Sequence, residues 1–507
     1  MIKKLSKFFA NDYVAIAFLF ILAVVVRSIP NIKAGQWVIG YDTFNTYVAE
    51  LTGYHGSLIN WLKTANILYF IFLPFKLIGL KSDVIVKLFG PLLFGGLVVS
   101  FYFWARQFVK FDKIKALLAS LLIIFQLASL RLSWDLYRNE LGLIFLFLAL
   151  INLTQIKKTK NLVFACLFSV LVGLSNELVT ALLLVILLFY LVNLLIKKQY
   201  NLGLRIVLLL IFLAGIFWMV VSSSKIVLYD PHIIFISGHN NVFWRYFYIY
   251  NNDMSYQQLT QTVMTLFRLY YQFLLPLVLL GFWLLRKNFI LLILTLWLLI
   301  GTFSSFIFLG KGLIVWDRWL VMLIFPFVIY ATEGASFIGK IISQKLKKWH
   351  SYFLPVLWTL AVIFWLGFIG LFIWRAIPFL SADYKDAKPP LANEVINSYF
   401  PRTMVHNSIG LAKIDDNFQC VKWLNDRVPS GAVVLVDNRW RGLMMTNFEM
   451  DNRYIITNNW SDSWSKNGLE FAQKKGFKDI YMIWNSGRIN GFDRIFVSGN
   501  VAVYKAK

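Results

Sequence analysis

Long apolar stretches recur along the chain, parted by short polar segments carrying Lys and Arg. They fall near 13–30, 84–105, 115–132, 140–156, 161–176, 178–196, 203–221, 268–285, 288–309, 318–338 and 352–374. Each reads as a helix crossing the hydrocarbon core, about 30 Å thick. One further stretch, 61–80, holds Lys63, Asn66, Pro74 and Lys76 within one span's length. The pattern predicts a polytopic α-helical membrane protein of about eleven transmembrane helices, with residues 1–379 as the transmembrane domain.

The pattern changes near 380. Pro389-Pro390 mark a linker. Phe418–Val428 reads as a helix with Phe418, Val421 and Leu424 on one face, Ala432–Val436 as a buried strand, Gly468–Lys475 as a helix, Asp479–Trp484 as a strand and Ile495–Tyr504 as a terminal strand pair. This alternation predicts a small C-terminal α/β domain over residues 380–507.

Composition agrees with the apolar pattern. Of 507 residues, 59% are hydrophobic and 18% aromatic, more than a soluble core needs. The net charge of +25 is uneven: residues 380–507 carry 17 Lys/Arg against 13 Asp/Glu, and the remainder 33 against 12. Basic excess in a membrane region marks cytoplasmic loops and lipid headgroups, and no nucleic-acid motif accompanies it. The two cysteines, Cys166 in an apolar stretch and Cys420 in the tail, make neither a disulfide framework nor a zinc spacing. Met1–Pro30 has Lys3, Lys4 and Lys7 ahead of its apolar run and lacks a small-x-small cleavage site, so it reads as an uncleaved signal-anchor.

Charge also orients the chain. With the N-terminus cytoplasmic and 61–80 lying at the interface, every basic cluster falls inside: Arg106–Lys115, Lys157–Lys160, Lys197–Arg205, Arg286-Lys287 and Lys340–Lys348. If 61–80 crossed, all the later clusters would flip outside. The C-terminal domain is then extracytoplasmic. Asp42, Glu50, Asp135, Glu140, Glu177, Asp230, Asp253 and Asp317 fall at the outer face. Two long outer loops, 31–83 and 222–267, roof that face; the second holds His232, His239, Trp244, Arg245 and Tyr246.

The outer acids and arginines are the candidate chemistry. In Ile39–Leu51, Gly40 permits a tight turn and Phe44, Tyr47, Val48 and Leu51 recur at helical spacing. A short amphipathic helix on the membrane surface is therefore expected to start at Asp42. Asp42 is either a general base or the N-cap of that helix. Asp135 and Glu140 could bind a divalent metal or the acceptor, or complement a helix dipole. Arg138 and Arg318 suit a phosphate, since a guanidinium fork matches its oxygens, or they snorkel to the interface. Arg318 could also pair with its neighbour Asp317. Glu177, after Ser175-Asn176, is a second acid of the site or a solvated turn. His232 and His239 match no zinc template. Asn459-Trp460-Ser461 is a sequon, a three-residue match that arises easily.

This layout resembles the GT-C glycosyltransferases. The resemblance rests on Gly40-Tyr41-Asp42 in the first loop, the interfacial stretch 61–80, Trp134-Asp135-Leu136-Tyr137-Arg138-Asn139-Glu140, Asp317-Arg318 and the outer α/β tail. Within that superfamily the chain is similar to oligosaccharyltransferase catalytic subunits and to protein or lipid mannosyltransferase-like enzymes. It departs from the former: where they carry Trp-Trp-Asp-Tyr-Gly, this chain has Val436-Asp437-Asn438-Arg439-Trp440. The resemblance implies an inverting transfer of a sugar from a polyprenyl-phosphate donor to a glycan, lipid or protein acceptor on the extracytoplasmic face of the cell or plasma membrane. Asp42 would be the base, Arg138 and Arg318 would bind the donor phosphate, and Asp135, Glu140 and Glu177 would meet the acceptor or a cation such as Mg or Mn. A transporter or flippase of a lipid-linked glycan would instead show broken helices, polar residues near mid-membrane or repeated halves, which the apolar pattern does not display. A non-catalytic glycan-assembly subunit would leave Asp42 dispensable.

Overall fold

In lipid a backbone must satisfy its own polar groups, and the apolar stretches accordingly fold as helices. The computed structural model describes residues 12–40, 42–53, 57–223, 232–235, 249–250, 256–307, 312–313, 316–346, 353–380, 414–437, 440–458 and 464–507. In chain order come α1 (Asp12–Lys33), a π-helix at Thr43–Val48, α2 (Leu58–Lys63), α3 (Leu68–Leu77), α4 (Ser82–Phe103), α5 (Lys113–Phe125), α6 (Leu127–Asp135), α7 (Tyr137–Leu153), α8 (Thr159–Ser175) and α9 (Glu177–Ile196). Then follow α10 (Tyr200–Ser222), α11 (Tyr256–Tyr271), α12 (Leu275–Leu285), α13 (Phe289–Thr302), α14 (Trp316–Met322), α15 (Ile324–Leu346) and α16 (Phe353–Leu380).

The chain is a helical membrane protein, but its count of spans is corrected. Among the described residues five helices are long and apolar enough to cross a membrane, or up to seven if each of two bent pairs is one span; about eleven were expected. Stretches 140–156 and 161–176 become α7 and α8, of 17 residues each, and 288–309 yields α13, of 14. At 1.5 Å per residue these reach only about 25 and 21 Å, short of a core of about 30 Å.

Two expected spans are broken. α5 and α6 bend by 63° at Gln126, and α11 and α12 by 81° before Leu275. Gln126 is extended, its side chain accepts from Leu127 N and donates to Tyr270 O at 2.9 Å, and Ser129 Oγ donates to Gln126 O at 2.8 Å. These bonds satisfy the backbone groups freed by the break. The second break precedes Pro276, in the first turn of α12, where its missing N–H is tolerated. Averaged hydropathy passes over both, because one Gln or Pro hardly changes it.

Residues 31–83 leave and return at one end of the bundle. Asn31 Nδ2 donates to Lys87 O at 2.8 Å there, while at the opposite end Tyr102 OH donates to Asp12 at 2.9 Å and Lys113 pairs with Asp12 at 2.8 Å. The stretch 61–80 folds as α2 and α3, each far too short to cross.

The tail holds α17 (Ile414–Arg427), α18 (Arg441–Asn447) and α19 (Trp464–Lys474) around a six-stranded sheet. Its strands are β1 (Ile233–Phe235), β2 (Val433–Asp437), β3 (Tyr454–Asn458), β4 (Ile480–Asn485), β5 (Phe492–Ser498) and β6 (Val501–Ala506), in spatial order β1-β3-β2-β4-β6-β5. β1, β3, β2 and β4 run parallel, and β6 pairs antiparallel with both β4 and β5. Residues 380–507 do not build this sheet alone, since β1 comes from segment 222–267. Strand β3 and helix α18 were not foreseen; both are short and carry little periodicity. Tyr41, Asp230, His239, Trp244, Arg245, Tyr246, Asp253, Pro389-Pro390, Asn438-Arg439 and the sequon at 459–461 lie outside the described residues.

Candidate functional site at the junction of the first loop, α6 and α14

The site is organised by α6, nine residues buried along their whole length. Arg131 and Asp135 stand one helical turn apart and form an ion pair. The end of α6 lies against Gly40, which has φ +97°. A Cβ there would sit 2.7 Å from Asp135 Cβ and 2.8 Å from Trp134 O, so only glycine allows both this conformation and this approach. Thr43 Oγ1 donates to Ile39 O and Gly40 O and closes the turn. Asp42 is thereby held beside Asp135.

The segment after Asp42 is a π-helix, a form that often marks functional sites. It is not a surface helix. Phe44, Tyr47, Val48 and Leu51 are all buried, and the tail covers the side away from the bundle. Gly442 N donates to Asn45 Oδ1 at 2.9 Å and Arg441 Nη2 to Asn45 O at 3.3 Å. A Cβ on Gly442 would fall 2.8 Å from Asn45 Cα. The expected lipid-facing apolar face is thus a protein seam, because α18 occupies the other side. Burial also holds the Tyr47 phenol well above its ordinary pKa, so it stays neutral.

Asp42 does not cap this helix: its side chain makes no cap hydrogen bond. Instead Oδ2 accepts from Arg318 Nη2 at 3.4 Å across 276 residues of sequence, with the two side chains 25% and 22% exposed. Of the readings open for Arg318, the structure shows an ion pair, made with Asp42. Asp317 and Arg131 line a cavity of about 10 Å³ with Leu136, Leu266, Tyr270, Leu320 and Val321. That is room for about one water.

The remaining candidates lie elsewhere in this layer. Arg138 is clamped by protein: Nε donates to Ala65 O (3.1 Å) and Ser175 O (3.3 Å), and Nη2 to Thr64 O (3.3 Å) and Glu177 Oε2 (2.6 Å). Arg138 and Glu177 tie α2 and α3 to the α8–α9 elbow, where Ile67 N also donates to Leu174 O at 3.0 Å. Glu177 is therefore not a solvated turn. Glu140 is fully buried in α7, and neither carboxylate oxygen has a hydrogen-bond partner among the described residues. His232 lies against Tyr454 at the sheet edge, 5.0 Å between ring centroids with the rings tilted by 52°.

Among the described residues the donor set does not fit a divalent cation: no three His, Cys, Asp or Glu side chains gather, and Asp42 and Asp135 each face a guanidinium. The positive charge of the site comes from Arg318 and Arg131.

Three residues of this site were missed in the sequence: Arg27, Arg131 and Asn45. Arg27 and Arg131 are charges inside or at the end of apolar stretches, which is itself a sign of function in a membrane protein. The Arg131–Asp135 spacing of four was legible as a helical pair. Asn45 carried no signal, because its partner is 397 residues away. In comparisons with known proteins, no family model matches the sequence and no curated protein matches it significantly.

Proposed function

We propose that the chain is a GT-C-like integral-membrane glycosyltransferase that moves a sugar from a polyprenyl-phosphate donor to an acceptor hydroxyl or amide at the extracytoplasmic face. The observation that carries this reading is the Asp42–Arg318 pair, loose and partly exposed, beside the buried Arg131–Asp135 pair. An incoming donor phosphate competes with Asp42 for Arg318 and frees the carboxylate. The acceptor oxygen or nitrogen attacks the anomeric carbon, the bond from that carbon to the phosphate oxygen breaks with its electron pair leaving on phosphate, and the acceptor proton passes to Asp42. The centre inverts. Arg318 neutralises the charge that grows on phosphate, with Arg131 behind it. The clamped Arg138 has no part in donor binding, and no step passes through a metal.

The test is transfer of a labelled sugar from a polyprenyl phosphate by purified protein. Asp42→Asn keeps the size of the side chain and removes the base, so transfer should fall roughly 10²–10⁴-fold at unchanged thermal stability. Full activity in Asp42→Asn would overturn the reading. The orientation is tested separately. A single cysteine at Ser430 or Ser486 should react with an impermeant reagent on intact cells; reaction only after permeabilisation would place the tail in the cytoplasm.

A second reading has one observation in its favour. The two broken helix pairs meet through Gln126 and Tyr270, and discontinuous helices line the sites of many transporters. A transporter or flippase of a lipid-linked glycan would move that lipid between leaflets of reconstituted vesicles with no sugar transferred.

A further inference from the structure

Arg27 is fully buried near the end of α1. Its Nε donates to Ser133 O at 3.0 Å, Nη2 to Trp134 O at 3.2 Å and Nη1 to Asn31 Oδ1 at 3.1 Å. The guanidinium also lies 5.2 Å from the centroid of the Trp134 ring, and Tyr137 OH is 3.5 Å from Nη2. Asn31 is itself anchored through its bond to Lys87 O.

Ser133 and Trp134 are the residues just before Asp135, at the C-terminal end of α6. Carbonyls at a helix C-terminus lack intrahelical partners and carry partial negative charge, which a cation satisfies. Trp134 O accepts from Arg27 and lies so close to Gly40 that a Cβ there would come within 2.8 Å of it. A buried cation is costly in a membrane protein, so such residues are rare and concentrate at functional positions. Anchoring α1 to α6 alone would need only apolar contact.

We infer that Arg27 is a positioning residue. It locks the Trp134–Asp135 end of α6 against Gly40 and so fixes the Arg131–Asp135 pair relative to Asp42 and Arg318. The inference rests on the glycosyltransferase reading for its kinetic readout.

The experiment compares Arg27→Gln and Arg27→Lys in purified full-length protein. Arg27→Lys keeps the buried cation and guards against a single variant that fails to fold. The expected result is a kcat lowered up to roughly 10²-fold, the worth of an ångström-scale misplacement, with KM for the donor within about twofold. Lysine should restore part of the rate, because its ammonium reaches the same carbonyls. Amide exchange over residues 36–45 should also quicken in Arg27→Gln, a readout that needs no activity. Arg27→Gln with wild-type kcat and wild-type exchange would overturn the inference, leaving Arg27 a cap alone. If wild-type and Asp42→Asn proteins behave alike in transfer, the glycosyltransferase reading has failed, and the exchange measurement still decides the positioning role.

Discussion

Asp42–Arg318 and Arg138–Glu177 are both arginine–carboxylate pairs at the same end of the bundle, and they differ in length and exposure. Arg138 reaches Glu177 at 2.6 Å and three backbone carbonyls besides, with Glu177 only 8% exposed. Arg318 meets Asp42 at 3.4 Å, with both side chains near a quarter exposed. The first pair is short and backed by further hydrogen bonds, which make it costly to break. The second is longer and more exposed, as the proposed displacement of Asp42 by a donor phosphate requires. An arginine's sequence context does not tell these two kinds of pair apart; the geometry around it does.

The comparison can be broken at either pair. Arg318→Gln carries the largest expected effect. It should lower transfer by roughly 10²–10³-fold, the usual cost of one electrostatic donor at a reacting centre, with little change in thermal midpoint. A variant destabilised but fully active would make this pair a clamp as well. Arg138→Gln should do the reverse. It leaves Glu177 buried without its cation and costs about 3 kcal/mol, seen as a lowered thermal midpoint, while kcat of the folded protein holds. Arg138→Gln/Glu177→Gln should recover part of that stability. A fall in kcat at unchanged stability in Arg138→Gln would return Arg138 to the donor site.

The seam behind Asp42 sharpens the picture with a smaller effect. Gly442→Val forces a side chain onto the backbone of Phe44 and Asn45 and should cost about 1–3 kcal/mol, as overpacking does. Its check is thermal unfolding of the full chain together with amide exchange over 43–48, which should rise. Unchanged exchange would mean that α18 does not support the π-helix. The smallest effect concerns Cys420, buried on α17, whose thiol is pushed up to about 12 by burial. The thiolate is the reactive form, so at pH 8 the folded protein should alkylate at Cys420 far more slowly than the unfolded chain. Equal rates would show that α17 is not held on the sheet.

Much of the fold was legible because it depends on local pattern. Apolar runs of membrane-spanning composition predict helices wherever they occur, and α1, α4, α9 and α10 follow their stretches closely. The turn at Gly40 was readable too, since a glycine before an acid after an apolar run has few other uses. The breaks at Gln126 and before Leu275 were not readable. Each is a single-residue event in a run that stays apolar, and each depends on a partner from another helix. The same holds for β1: three residues in a long polar segment become a strand only because Tyr454–Asn458 offers an unpaired edge.

By itself, the sequence determined a helical membrane protein, helices over most apolar stretches, alternating helices and strands after residue 414, and a set of acids and arginines near helix ends. Those are properties of composition and period, which act over neighbouring residues. Only the tertiary structure decided which arginine met which acid. Asp42 found Arg318 rather than a helix N–H, Arg138 closed on Glu177, and Arg131 and Arg27 entered the site unannounced. Pairing is a long-range choice, set by how two broken helices and a borrowed strand bring distant segments together, and no local pattern encodes the distance between residues 42 and 318.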